Sequence, residues 1–174
     1  LLPDYIAGRI SLEKLWLKPE PFYNDARIEM RLGTEVVSVN PEDHAIVTSQ
    51  GENIAFDKLL VACGGKPKLP PIAGIDRTPV LTLKTLNDAR HILSVARRGA
   101  SVLVLARDLI GVELTRALAQ MGLRVSYVEW GDDDLLPHII DPATAQELAE
   151  KMMSAGVKLV VGETVQAVEA AGKD

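Results

Sequence analysis

The stretch SVLVLARDLIGVEL, residues 101–114, joins an apolar strand, a tight turn and the start of a helix. That is the entry of a dinucleotide-binding βαβ unit, whose turn is written G-x-G-x-x-G. Each glycine in that pattern has a task. The first makes the turn, the second lets backbone approach the pyrophosphate, and the third lets the helix pack closely on the strand. An acid about 20 positions further on bonds the ribose hydroxyls. Here the three positions hold Ala106, Asp108 and Gly111, and the acid is Glu129, 23 residues after Ala106. The packing glycine and the ribose acid are present. The two glycines nearest the phosphate are not.

Asp108 is the serious departure. A helix N-terminus attracts anions because its free N–H groups and its dipole are positive there. Aspartate is an excellent N-cap, and its carboxylate would take the place of the phosphate. A phosphate brought to about 4 Å would be repelled by on the order of 4 kcal/mol at an effective dielectric of ~20, offset in part by Arg107. Two readings follow, a capped structural turn and a working pyrophosphate site, and the residues by themselves favour the first. Glu129 also has two readings, a ribose acid and an exposed strand end. Trp130 stands where a cation would help hold an NADP phosphate, so the pair favours NAD over NADP if either binds.

Other chemistry-bearing residues carry less. Cys63 is the single cysteine, which excludes an internal disulfide and a Cys-x-x-Cys pair. At the end of an apolar strand it reads as a small buried structural residue rather than a redox thiol. His44, His91 and His138 lack metal-ligand spacing, and Asp132-Asp133-Asp134 lacks the spacing of a calcium loop and reads as solvated. No catalytic side chain and no metal site is assigned.

These residues need elements to position them. Short helices are expected at 3–9 and 19–26, and strands at 28–32, 34–39, 44–49 and 57–62. Turn chemistry at Asn40–Asp43 and Gln50–Asn53 separates the strands. This is a β-meander feeding a buried strand that ends at Cys63-Gly64-Gly65. The segment KPKLPPIAGIDRTP, 66–79, has four prolines and reads as a linker. Then the grammar changes to helix 85–98, strand 101–106, helix 109–121, strand 123–129, helix 142–155 and strands 157–161 and 164–169. Strands alternating with helices imply a parallel sheet with helices on its faces.

A repeat lies across this order. IEMRLGTEVVSV (28–39) aligns with VKLVVGETVQAV (157–168) at one offset of 129, matching Gly33 with Gly162, Val36 with Val165 and Val39 with Val168. If the copies are true, the first copy's βαβ unit would begin about 27 residues before Leu1. The counterpart of Ala62-Cys63-Gly64 would fall near position 191, beyond Asp174. The expectation is a window from a longer two-domain protein, and the start at Leu1 without Met agrees with it.

The 174 residues are 47% hydrophobic and 25% charged, which allows a sizeable core. The net charge of −5, with no dense basic run, argues against nucleic acid or an anionic membrane as partner. No apolar run approaches the roughly 20 residues of a membrane helix. With no signal peptide read and one cysteine, a cytoplasmic setting is expected.

FDKLLVACGGKPKLPPIAGID (56–76) resembles the strand, A-T-G-G turn and proline-rich linker of FAD-dependent pyridine nucleotide–disulfide oxidoreductases. LVLARDLIGVELTRALAQMGLRVSYVEW (103–130) is similar to the opening of their NADH domain, usually G-G-G-x-I-G-x-E. Residues 1–40 resemble the FAD-domain stretch of the nitrite reductase large subunit and NADH:rubredoxin reductase branch. The resemblance covers nearly the whole chain and implies an α/β fold made of parts of two Rossmann-like domains with a β-meander. Residues 1–77 would be the C-terminal part of a first, FAD-binding segment, and 78–174 an NAD(P)H-binding-like domain truncated at its C-terminus. The resemblance also implies FAD and NAD as cofactors. Val36 would lie by the FAD adenine, and Ala62, Cys63 and Gly64 by the flavin, Cys63 replacing the family's Thr. Asp108 would stand in the NADH turn with Leu109, the run Ile110, Gly111, Val112 and Glu113 would face the nicotinamide, and Glu129 the adenosine ribose.

The activity so implied is an NAD(P)H-dependent FAD oxidoreductase that passes electrons through flavin to an acceptor protein or small molecule, the fragment alone being inactive. A homodimer is compatible with it. Two alternatives stay open: a flavoprotein whose NADH domain is degenerate and docks partners or serves structure, and a domain retaining neither cofactor.

Overall fold

In a computed structural model the described residues are 1–77, 79–131 and 134–169. They divide into two compact units, one of Leu1–Leu15 with Lys66–Asp174 and one of Trp16–Gly65. The expected boundary between 77 and 78 falls beside Thr78, outside the described residues.

The first unit begins with helix α1 (Leu2–Ile6), started by Pro3 in its first turn. In the second unit, helix α2 (Glu20–Asp25) precedes an antiparallel meander of β1 (Val36–Asn40), β2 (Ala45–Thr48) and β3 (Asn53–Ala55). The expected meander is present, but its strands differ from expectation in three places. Residues 28–32 form no strand. The turn after β2 closes early, with the Gly51 amide donating to the Thr48 carbonyl at 2.9 Å, so Asn53 already pairs with Val47. Residues 57–62 have no ladder partner among the described residues, and Leu60 and Val61 are exposed. An apolar run satisfies its backbone as a strand only beside a neighbour, and none among the described residues is paired with it.

The rest of the first unit is built around a parallel sheet in the order β4 (Ser101–Ala106), β5 (Arg124–Glu129), β6 (Lys158–Val160). Helix α3 (Leu86–Val95) precedes it. Thr85 accepts from the Asp88 amide while Asp88 accepts from the Thr85 amide at 2.7 Å, a reciprocal capping box. The helix ends three residues before expectation because Ala96 turns to extended backbone (ψ 128°). Helix α4 (Leu109–Gln120) crosses from β4 to β5 and packs on both. Helix α5 (Pro142–Ser154), capped by Asp141, leads to β6 and packs on it. Val104, Val112, Ala117, Leu118, Val125 and Tyr127 are central to the core, and Ile6 of α1 joins it. Burying each large apolar side chain of this kind contributes roughly 1.5–3 kcal/mol. The expected strand 164–169 is reduced to one parallel bridge, Ala167 with Ala73, where the Val168 amide donates to the Ala73 carbonyl at 2.8 Å.

Candidate functional site

β4 and β5 run in register over six residues, from Ser101 beside Arg124 to Ala106 beside Glu129. The turn residue and the acid, 23 positions apart in sequence, therefore stand side by side at the carboxyl ends of two parallel strands. In open α/β sheets that edge is where ligands bind.

Asp108 leaves β4 in extended backbone (φ −147°, ψ 168°) and is the N-cap of α4. Its Oδ1 accepts the Gly111 amide at 2.8 Å. Helix and strand approach closely at Gly111: a Cβ added there would lie 2.1 Å from Ala106 Cβ. The third glycine thus keeps its packing task. The N-terminal amide that a phosphate would use is bonded to this chain's own carboxylate.

Glu129 is not an exposed strand end. It is 1% exposed, and the Tyr127 hydroxyl donates to its Oε2 at 2.9 Å. Side chains at i and i+2 of a strand share a face, so Tyr127 and Glu129 meet as neighbours on β5. The same hydroxyl lies 3.5 Å from the Ala106 carbonyl. Burial, then the hydrogen bond to Glu129, holds the Tyr127 phenol well above its ordinary range; the charges of Glu129 and Asp108 act in the same direction. Tyr127 carried no signal as a site residue. Its position two before the acid, on the same face of the strand, is the only hint the sequence offers.

A depression of about 180 Å³ lies over the strand ends, lined by Lys68, Pro70, Leu105, Ala106, Arg107 and Trp130. Ligand pockets usually span about 300–1,000 Å³, so this one is small for a dinucleotide. The residues expected near the nicotinamide do not share one face. Leu109 and Ile110 are half exposed, Gly111 and Val112 are buried, and Glu113 is paired with Arg116 and lies 3.8 Å from Arg9. The turn as folded therefore does not fit a pyrophosphate.

The residues expected on the flavin side lie in the second unit. Val36 pairs with Thr48 at the bulged end of β1. Ala62, Cys63 and Gly64 are exposed and outside any strand. No ladder among the described residues joins Val36 to them. Cys63 is exposed, against the expectation of a buried residue, because the run before it is unpaired; its Sγ lies 3.9 Å from the Gly64 carbonyl. These four residues form no enclosed flavin cradle here. Of the acidic run, Asp132 and Asp133 lie outside the described residues. Among the described residues no cluster of His, Cys, Asp and Glu could hold a metal, and no helix is long and apolar enough to cross a membrane.

Residues 7–174 match the family described as pyridine nucleotide-disulphide oxidoreductase. The chain is 31% identical over 149 residues to the nitrite reductase (NADH) large subunit of Escherichia coli K12, covering 86% of the chain and 18% of that protein. It is 29% identical to the rubredoxin-NAD(+) reductase of Pseudomonas putida, covering 88% of the chain and 40% of that protein. A reduced Bacillus anthracis CoADR-RHD structure superposes with a TM-score of 0.84 at 30% identity, over 97% of the chain and 32% of that structure. The reductase of a covalent putidaredoxin reductase–putidaredoxin complex gives 0.84 at 24% identity, over 98% of the chain and 42% of its own length, which speaks to the fold. The chain thus spans well under half the length of each of these proteins.

Proposed function

The chain belongs to the pyridine nucleotide-disulphide oxidoreductase family, and on that footing we propose that it is part of an FAD-dependent NAD(P)H oxidoreductase that passes electrons through flavin to a separate acceptor. The family and its neighbours depend on FAD and NAD(H). Residues 1–77 are assigned to the first, FAD-binding segment and 78–174 to the nicotinamide domain. The observation that carries this reading is the in-register β4–α4–β5 unit with Gly111 at the close helix–strand approach and Glu129 beside Ala106. The absence of a cysteine pair favours an acceptor outside the chain, and relatives named for rubredoxin and ferredoxin reduction favour a small electron-transfer protein.

In this reading the protein's part is to bind and orient, since the cofactors carry the electron chemistry. Val36, Ala62, Cys63 and Gly64 are assigned to the flavin side, and Asp108, Leu109, Ile110, Gly111, Glu113 and Glu129 to the nicotinamide side. The test is to purify the full-length protein, measure its flavin content, and add NADH or NADPH at millimolar concentration without oxygen. Bleaching of the flavin absorbance, with faster bleaching by NADH, is expected. A protein without flavin, or flavin that neither nucleotide bleaches, counts against the reading.

A further inference from the structure

The two anchors of a bound dinucleotide are the phosphate at the helix N-terminus and the ribose at the strand-end acid. In this chain both anchors are engaged from within. Asp108 Oδ1 takes the Gly111 amide at 2.8 Å. Glu129 is 1% exposed and takes the Tyr127 hydroxyl at 2.9 Å. These are separate contacts, on different elements, and each removes one anchor. The depression lined by their chain neighbours Arg107 and Trp130 is small as well.

We propose that the Asp108 carboxylate occupies the phosphate position of this turn, so that Asp108 sets the nicotinamide-dinucleotide affinity of the domain and holds it weak, with Kd above ~1 mM. This rests on the reading of 78–174 as the nicotinamide domain. A phosphate and this carboxylate compete for the same amide and the same positive helix end, and both are anions. To bind, the dinucleotide would have to displace the cap from Gly111 and accept a negative charge a few ångströms away. The cations of the depression, Lys68 and Arg107, are exposed, so water and salt screen their attraction more than they screen the contact at the turn. The side chain at 108 also obstructs the close backbone approach that a glycine permits, and Ala106 does so at the first position.

The test is calorimetric titration of the full chain with NADH, in the unmodified protein, in Ala106→Gly with Asp108→Gly, and in Asp108→Ser. Serine is also a good N-cap, so the last variant removes the charge while keeping the helix start. The unmodified chain is expected not to saturate below 1 mM. The double variant is expected to bind at least tenfold tighter, and Asp108→Ser at least threefold. Micromolar binding by the unmodified chain overturns the proposal and leaves the nicotinamide-domain reading standing. Variants that keep the circular dichroism of the parent and bind no tighter overturn the proposal and count against that reading too. A double variant that does not fold leaves the decision to Asp108→Ser.

Discussion

The Tyr127 hydroxyl donates to Glu129 Oε2 at 2.9 Å, two residues along one strand and beneath the surface. A buried carboxylate costs several kcal/mol unless it is hydrogen-bonded, so this contact contributes to the stability of the end of β5. Tyr127→Phe keeps the ring and removes the donor. It is expected to destabilise the chain by about 1.5–3 kcal/mol, the range for hydrogen bonds to charged groups. Equilibrium denaturation at neutral pH measures it; a change under about 0.5 kcal/mol would show that the pair is not structural.

The same contact predicts an alkaline dependence. The folded phenol is held above its ordinary value of 10.0, first by burial and then by Glu129. Above pH ~10 the unfolded chain releases this proton while the folded chain keeps it, so stability is fully present below that pH and falls as pH rises beyond it. The slope for one proton is about 1.4 kcal/mol per pH unit. Unfolding curves taken from pH 9 upward should show this loss, and Tyr127→Phe should flatten it. Equal slopes in both proteins would assign the loss to other groups.

Gly111 is fixed by packing rather than by backbone freedom. An added Cβ would sit 2.1 Å from Ala106 Cβ, and a methyl on a strand end has no rotamer to escape into. Gly111→Ala is expected to cost about 1–3 kcal/mol through overpacking. Ala106→Gly removes the opposing methyl, so the double variant should regain most of that loss. Thermal denaturation of the four proteins gives the coupling energy. Additive effects would mean that the two residues do not meet.

Cys63 is exposed, so its thiol should react with a water-soluble thiol reagent in the native protein. Cys63→Thr should change stability by no more than ~0.5 kcal/mol, as surface substitutions generally do. Slow labelling that needs denaturant, or loss of soluble protein on substitution, would place Cys63 inside.

Much of the first unit was legible in the chain itself, because its signals are local. β4, α4 and β5 lie within a residue of their expected bounds, and Asp108 caps α4 as its residue type demands. A cap, a glycine bend and an apolar period each depend on residues a few positions apart, and the sequence carries them directly. Only the tertiary structure decided what depends on distant partners. Leu59, Leu60 and Val61 have the composition of a buried strand, yet with no ladder neighbour among the described residues they stay exposed and Cys63 with them. Glu129 has the spacing of a ribose acid, yet β5 turns it onto Tyr127 and under the surface. Composition records that a segment can be buried or a carboxylate bonded. Which groups do so is set by the strands and helices packed around them, and those contacts join residues that the sequence holds far apart.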